Sequence, residues 1–214
     1  MSRVVVVDYD IGNVFSVCQA LKKVGADPIL TGDHSEIQNA DRLILPGVGA
    51  FASARAELDN RGLTDVLKSY ADTGRPFLGI CVGMQMLMSE SREFGTTPGF
   101  GWIDGIVDKI PQTDAEGSPH SVPHISWATL ERPAEARDWS GTVLEGLEPG
   151  KSAFYFVHSF MAYPENRDDV LAEAYYNGQA ITAAVVKNNV TGLQFHPERS
   201  GPAGQKVLDR FLKT

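Results

Sequence analysis

Cysteine is scarce in this chain: Cys18 and Cys81 are the only two among 214 residues. A secreted disulfide framework carries more, at closer spacings. The sequence therefore reads as a soluble protein with free thiols in a reducing, cytoplasmic compartment. Positive charge is also in deficit. Nineteen basic residues stand against 27 acidic ones, a formal net charge of −8. That excludes a general nucleic-acid surface, which needs a basic face, but not a small anionic ligand. No run nears the ~18 apolar residues of a membrane-spanning helix. The apolar stretch in MSRVVVVDYD is too short for a secretory core region. Neither a Gly-x-Gly-x-x-Gly nor a Gly-x-x-x-x-Gly-Lys-Ser/Thr pattern is present, so nucleotide binding has no motif to rest on. Repeats, low-complexity tracts and linkers are missing too, which predicts a single domain over residues 1–214.

What is present has a clear rhythm. Val4 to Val7 is a β-branched run of the buried-strand kind. Asn13 to Val24 carries apolar residues at helical spacing and ends at Gly25. Short strands follow at Pro28 to Thr31 and Arg42 to Leu45, then helices at Phe51 to Asn60 and Leu63 to Tyr70. A fourth strand, Pro76 to Ile80, leads into a helix predicted to run from Cys81 through Met88. This alternation predicts an α/β fold with a mostly parallel central sheet flanked by helices. The C-terminal half reads as strand-rich: Gly105 to Ile110, Val122 to Leu130, Ser152 to Phe160, Val170 to Tyr176, Ala180 to Lys187 and Val190 to Phe195. Asn188-Asn189 is a candidate hairpin turn, Thr113 to Pro119 and Pro133 to Ser140 are polar loops, and Gly204 to Leu212 is an amphipathic helix.

Ligands on parallel sheets bind beyond the C-terminal strand ends. Asp8, Gly47 to Gly49 and Cys81 all fall at such ends. Gly79-Ile80-Cys81-Val82-Gly83 is the thiol form of the Gly-x-Ser-x-Gly elbow, in which a nucleophile sits on a tight strand-to-helix turn. A nucleophilic thiol needs a base, and the base needs an orienting partner. Val190 to Glu198 ends in His196-Pro197-Glu198. Side chains two apart on an extended chain point the same way, so Glu198 can accept the His196 ring N–H and fix its tautomer. Acyl transfer also needs donors for an oxyanion. The Val82 N–H is one, and Pro46-Gly47-Val48-Gly49 offers the other at Val48 or Gly49, where glycine lets backbone approach a substrate.

Together these parts resemble the class I, triad-type glutamine amidotransferases, over nearly the whole chain, and imply their flavodoxin-like fold. Asp8-Tyr-Asp-Ile-Gly-Asn13, Leu45-Pro-Gly-Val-Gly-Ala-Phe51, Val122-Pro-His124, Tyr155-Phe-Val-His-Ser159 and Gln194-Phe-His-Pro-Glu-Arg-Ser200 resemble more closely the glutaminase subunits of imidazole glycerol phosphate synthase. The resemblance implies that Cys81 attacks the side-chain amide of glutamine, with His196 moving the proton and Glu198 orienting it. It implies substrate contacts at Gly47, Gln85, His158 and Ser159. It also implies a heterodimer with a (βα)8-barrel cyclase that takes up the ammonia to make imidazole glycerol phosphate and aminoimidazole carboxamide ribotide in histidine biosynthesis. Asn13, Trp127, Tyr155 and Arg199 fall where that family builds its partner interface and ammonia gate. No cofactor or metal is implied. Asp10 stands in place of a usual glycine, Ser126 and Ala128 flank Trp127 in place of glycine and asparagine, Arg199 replaces lysine, and Phe160 replaces tyrosine.

Other readings compete. Cys81 could be a buried structural thiol, although two glycines and a downstream His-Pro-Glu argue otherwise. Cys18, on the apolar face of a helix, reads as core. His120 and His124 have a zinc-like spacing, but prolines flank both and no cysteine pair completes a tetrahedral set. His124 is expected to shape the partner face instead. At the level of function, the alternatives are a paralogous glutaminase subunit feeding amination of a sugar nucleotide for surface polysaccharide, an inactive regulatory subunit, and a cysteine peptidase of similar architecture.

Overall fold

The computed structural model describes residues 2–133 and 138–214. The first half alternates strand and helix: β1 (Val4–Val7), α1 (Val14–Lys23), β2 (Ile29–Thr31), α2 (His34–Gln38), β3 (Arg42–Gly47), α3 (Phe51–Asn60), α4 (Leu63–Ala71), β4 (Phe77–Cys81) and α5 (Val82–Gln85). The second half is strand-rich: β5 (Met88–Ser91), β6 (Thr97–Pro98), β7 (Ile103–Lys109), β8 (His124–Thr129), β9 (Ala153–His158), β10 (Phe160–Pro164), β11 (Val170–Tyr176), β12 (Gln179–Lys187) and β13 (Val190–Leu193), closed by α6 (Gly201–Phe211).

Seven strands form the central sheet in the order β11-β12-β13-β4-β3-β1-β2. From β13 to β2 neighbouring strands run parallel; β12 and β11 add an antiparallel edge. All residues of β1 and β4 are buried, which is why both read as unbroken apolar runs. One apolar cluster joins β1 at Val4 to α6 at Phe211. Helix α1 buries Val17, Ala20 and Leu21 and places Lys22 and Lys23 in its last turn, where they suit the helix dipole. Two smaller sheets, β10-β7-β5-β6 and β8-β9, complete the molecule.

The parallel α/β core and the strand-rich second half match expectation, and differences are local. The helix predicted after Cys81 lasts a single turn; Met88 already belongs to β5. Met84, Met86, Leu87 and Met88 are all fully buried, and a short, mostly apolar run buried on every side does not distinguish helix from strand. The strand expected over Ser152 to Phe160 is two strands. Up to His158 the chain pairs with β8; from Phe160 it pairs with β7, and Ser159 marks the break. Helix α2 went unread, although Asp33 caps it by accepting from the Ser35 and Glu36 N–H groups at 2.9 Å each and the Asp33-to-Glu36 spacing is a capping signature. The hairpin turn at Asn188-Asn189 is present between β12 and β13. Of the loop expected over Pro133 to Ser140, residues 134–137 lie outside the described residues.

The strand order decides where chemistry can collect. β13, β4 and β3 are adjacent and parallel, with Leu193 opposite Ile80 and Gly47 opposite Cys81. Neighbouring strands lie about 4.8 Å apart. The segment after β13, the end of β4 and the glycine-rich loop after β3 therefore emerge side by side at one sheet edge.

Candidate active site

Cys81 ends β4 with φ +56° and ψ −113°. A residue other than glycine rarely adopts that conformation, and holding it costs on the order of 1–3 kcal/mol. The surroundings explain how it is held. A Cβ on Gly83 would stand 1.9 Å from the Leu45 carbonyl oxygen, and one on Gly79 would stand 2.5 Å from the Gly83 oxygen. The turn after Cys81 is thus pressed flat against β3 and β4, which only glycine permits. Tyr9 braces the same place: its hydroxyl donates to the Pro46 carbonyl at 2.8 Å. Burial, and secondarily Cys81, push its pKa up, so it remains a donor.

His196 follows β13. Its Nδ1–H donates to Glu198 Oε1 at 2.8 Å, and both side chains are almost wholly buried. Three further bonds lock the segment. The His196 N–H donates to the Tyr155 carbonyl at 3.0 Å, the Tyr155 N–H donates to Ser200 Oγ at 3.0 Å, and Ser200 Oγ–H donates to the His196 carbonyl at 2.7 Å. Burial alone would lower the His196 pKa. The adjacent Cys81 sulfur and the hydrogen-bonded Glu198 carboxylate overcome it and raise the pKa to about 10, while the buried ring Nε2 itself makes no hydrogen bond of standard geometry among the described residues. At neutral pH the ring is therefore a cation beside the Cys81 sulfur, a setting that suits a nucleophilic cysteine.

Cys81 and His196 open into a cleft of about 350 Å³, shared with Val48, Gly49, Val82 and Gln85. Asn13, His158, Ser159 and Arg199 also line it. Gly47 does not; it lies behind, paired with Cys81 in the sheet. Trp127 and Tyr155 stand outside the cleft. Their rings meet edge to face at 5.9 Å, and the Arg199 guanidinium sits 4.2 Å over the Tyr155 ring. Trp127 is 55% exposed, so this group presents an aromatic surface beside the cleft. Asp10 has φ +62°, a conformation that glycine favours and aspartate tolerates, and its carboxylate pairs with Arg61.

Several polar groups at the cleft escaped sequence reading. Glu93, buried and lining the cleft, accepts the Phe51 N–H at 2.7 Å and so caps α3 directly after the glycine-rich loop. Gln194 is fully buried and contacts Cys81. Its place two residues before His196 on one extended segment is the signal that could have found it. His124 is a correction: it is fully buried rather than on a surface, because β8 turns it inward against Tyr176 and Phe156. Its Nδ1 lies 3.1 Å from His158 Nε2, its Nε2 lies 2.7 Å from Ser126 Oγ, and His158 Nδ1 lies 2.9 Å from the Phe160 carbonyl. Burial lowers the His124 pKa to about 4 and the His158 pKa to about 3. His120, four residues before His124, instead contacts the Pro111 carbonyl and Asn177.

Comparison with known proteins places this geometry. The model of the family "Glutamine amidotransferase class-I" matches residues 5–214. The imidazole glycerol phosphate synthase subunit HisH 1 of Legionella pneumophila (strain Lens) is 44% identical over 213 residues, spanning all of both chains. Subunit HisH of Geobacillus thermodenitrificans is 41% identical, covering 99% of this chain and 96% of its own. In fold, a chain from the structure of PurLQS from Thermotoga maritima superposes with a TM-score of 0.74 at 22% identity, over 100% of this chain and 99% of that one. The protein belongs to the class I glutamine amidotransferases. Within that class it belongs to the family of HisH subunits of imidazole glycerol phosphate synthase.

Proposed function

We propose that this chain is the glutaminase subunit of imidazole glycerol phosphate synthase, acting as a single domain over residues 1–214 in the cytoplasm. It hydrolyses glutamine and hands the ammonia to a (βα)8-barrel cyclase partner in histidine biosynthesis. The observation that carries the reading is a strained cysteine beside a charged, glutamate-held histidine in a cleft with room for glutamine.

The chemistry follows from the positions. Cys81 Sγ attacks the side-chain amide carbon, and the oxygen takes up charge facing the N–H groups of Val82 and of Val48 or Gly49. Protonated His196 delivers its proton to the departing nitrogen, and ammonia leaves a glutamyl thioester on Cys81. His196 then accepts a proton from water as the water attacks that thioester. The carbon–sulfur bond breaks and glutamate leaves. Glu198 keeps the His196 ring oriented throughout.

The amino-acid end of the substrate meets Gln85 and Glu93. Both Gln85 amide hydrogens are committed to the Phe160 carbonyl and to Gln194. Its oxygen remains, and an oxygen can only accept, so Gln85 and the Glu93 carboxylate both suit the substrate ammonium. The backbone at His158 and Ser159 completes the binding wall, and Gly47 supports the elbow from behind without lining the cleft. Every group the hydrolysis needs is a side chain or a backbone amide, so the reading calls for no cofactor. Asn13, Trp127, Tyr155 and Arg199 are the partner-facing residues of this reading.

The test is glutamate release by the chain mixed with the barrel subunit, with and without that subunit's ribotide ligand. Ligand-dependent stimulation is expected. Cys81→Ala should abolish glutamine-dependent turnover while the complex still uses added ammonia. Glutaminase activity retained in a folded Cys81→Ala variant would sink the proposal.

A further inference from the structure

The buried amides behind the nucleophile form a directed chain. Gln85 Nε2 lies 3.0 Å from the Phe160 carbonyl oxygen and 3.0 Å from Gln194 Oε1. Gln194 Nε2 lies 3.7 Å from Cys81 Sγ, within the range of an N–H···S bond. The direction is fixed by chemistry. A backbone carbonyl only accepts, so the Gln85 nitrogen must face Phe160. That nitrogen then also faces Gln194, which must answer with its oxygen. The Gln194 amino group is left pointing at the sulfur. Flipping the Gln194 amide would set N–H against N–H at Gln85, a repulsive contact that burial leaves unrelieved, since Gln194 is fully buried and Gln85 is 3% exposed, and it would turn a carbonyl oxygen toward a sulfur that must carry negative charge when it attacks.

We propose that Gln194 is a catalytic residue outside the triad, donating a hydrogen bond to the Cys81 sulfur and coupling it through Gln85 to the wall of the substrate cleft. The inference rests on the glutaminase reading for its consequence but not for its geometry. The sulfur carries negative charge at two points of the cycle: before it attacks the amide, and again when it leaves the thioester. His196 serves it from one side as a cation; Gln194 serves it from the other as a neutral donor. A neutral donor keeps its hydrogen bond while His196 gives up and regains its proton. Hydrogen bonds to ions are roughly twice as strong as those between neutral groups, so the Gln194 contact tightens when the sulfur is charged and relaxes in the thioester.

The test uses the full chain with Gln194→Met, which keeps side-chain length and a weak acceptor for Gln85 but removes the donor. Alkylation of Cys81 by iodoacetamide, followed by peptide mass spectrometry so that Cys18 serves as the internal reference, should slow about tenfold or more. In complex with the barrel subunit, kcat should fall by a similar factor while KM for glutamine stays near the unaltered value. A Cys81 alkylation rate equal to that of the unaltered protein, in a variant with unchanged circular dichroism, overturns the proposal. Should Gln194→Met fail to fold, the unaltered chain decides. Its Gln194 side-chain N–H resonances must move when Cys81 is alkylated, and resonances that stay fixed refute the contact. Alkylation requires neither glutamine nor partner, so failure here is distinguishable from failure of the glutaminase assignment.

Discussion

Two histidines line one cleft, 3% and 7% exposed, and the protein treats them in opposite ways. Burial pushes both toward neutrality. His196 faces Glu198 and the Cys81 sulfur and is raised to about 10; His158 faces a carbonyl and a second histidine and falls to about 3. Burial sets the outcome for His158, whose partners are uncharged, and charged partners outweigh burial for His196. The neutral side is also ordered in direction. The Phe160 carbonyl takes the His158 Nδ1–H, so His158 Nε2 accepts from His124 Nδ1–H, and His124 Nε2 accepts from the Ser126 hydroxyl. One side of the cleft is built to hold a proton that moves, and the other to hold protons that do not.

The sharpest way to break this contrast is Glu198→Gln. The hydrogen bond survives in form, but its charge goes, and the amide can present a donor to Nδ1 and select the wrong tautomer. His196 should then titrate several units lower, read from its ring carbon resonances, and glutamine turnover should fall on the order of 10³–10⁴-fold, as for neutralised triad acids in general. Turnover within tenfold of the unaltered protein would remove Glu198 from the mechanism.

A second, smaller effect lies in stability. His124 and His158 are neutral in the fold down to about pH 4 and 3, whereas an unfolded histidine protonates near ~6.5. Their contribution is therefore present above ~6.5 and is lost as pH falls below it, at up to about 1.4 kcal/mol per pH unit for each ring. His196 has the opposite sign: its contribution is present below ~6.5 and is lost as pH rises toward about 10. Urea unfolding at pH 7, 6 and 5 should show the acid slope in the unaltered chain and a shallower one in His158→Gln. Equal slopes would contradict the neutral pair. The smallest effect expected is that of Ser126→Ala, which removes the hydroxyl that terminates the chain at His124 and should cost about 1 kcal/mol. A loss above about 3 kcal/mol would mean that Ser126 does more than donate to one ring.

What could be read in the sequence was whatever is contiguous. The Gly79-to-Gly83 elbow and His196-Pro197-Glu198 each carry their chemistry within a few residues, and β1 and β4 announce themselves because all their positions are buried. What stayed hidden is made by pairing at long range. Glu93 reaches Phe51 across 42 residues, Gln194 reaches Cys81 across 113, and His124 meets His158 only because β8 and β9 pair in register. The short α5 was hidden for another reason: a short, mostly apolar run that is buried throughout carries no clear periodicity, and tertiary pairing of β5 with β7 decided it.

The three hydrogen bonds that join His196, Tyr155 and Ser200 have a mechanical consequence. They fasten the base to β9, whereas the nucleophile is fastened inside the seven-stranded sheet. His196 is thus held from two sides, by β13 within the sheet and by β9 outside it, whereas Cys81 is held by the sheet alone. β9 carries Tyr155 beneath Arg199 and beside exposed Trp127, so the strand that holds the His196 backbone also reaches that aromatic surface. Among the described residues the imidazole therefore has a tether that runs to the molecular surface, and the sulfur has none.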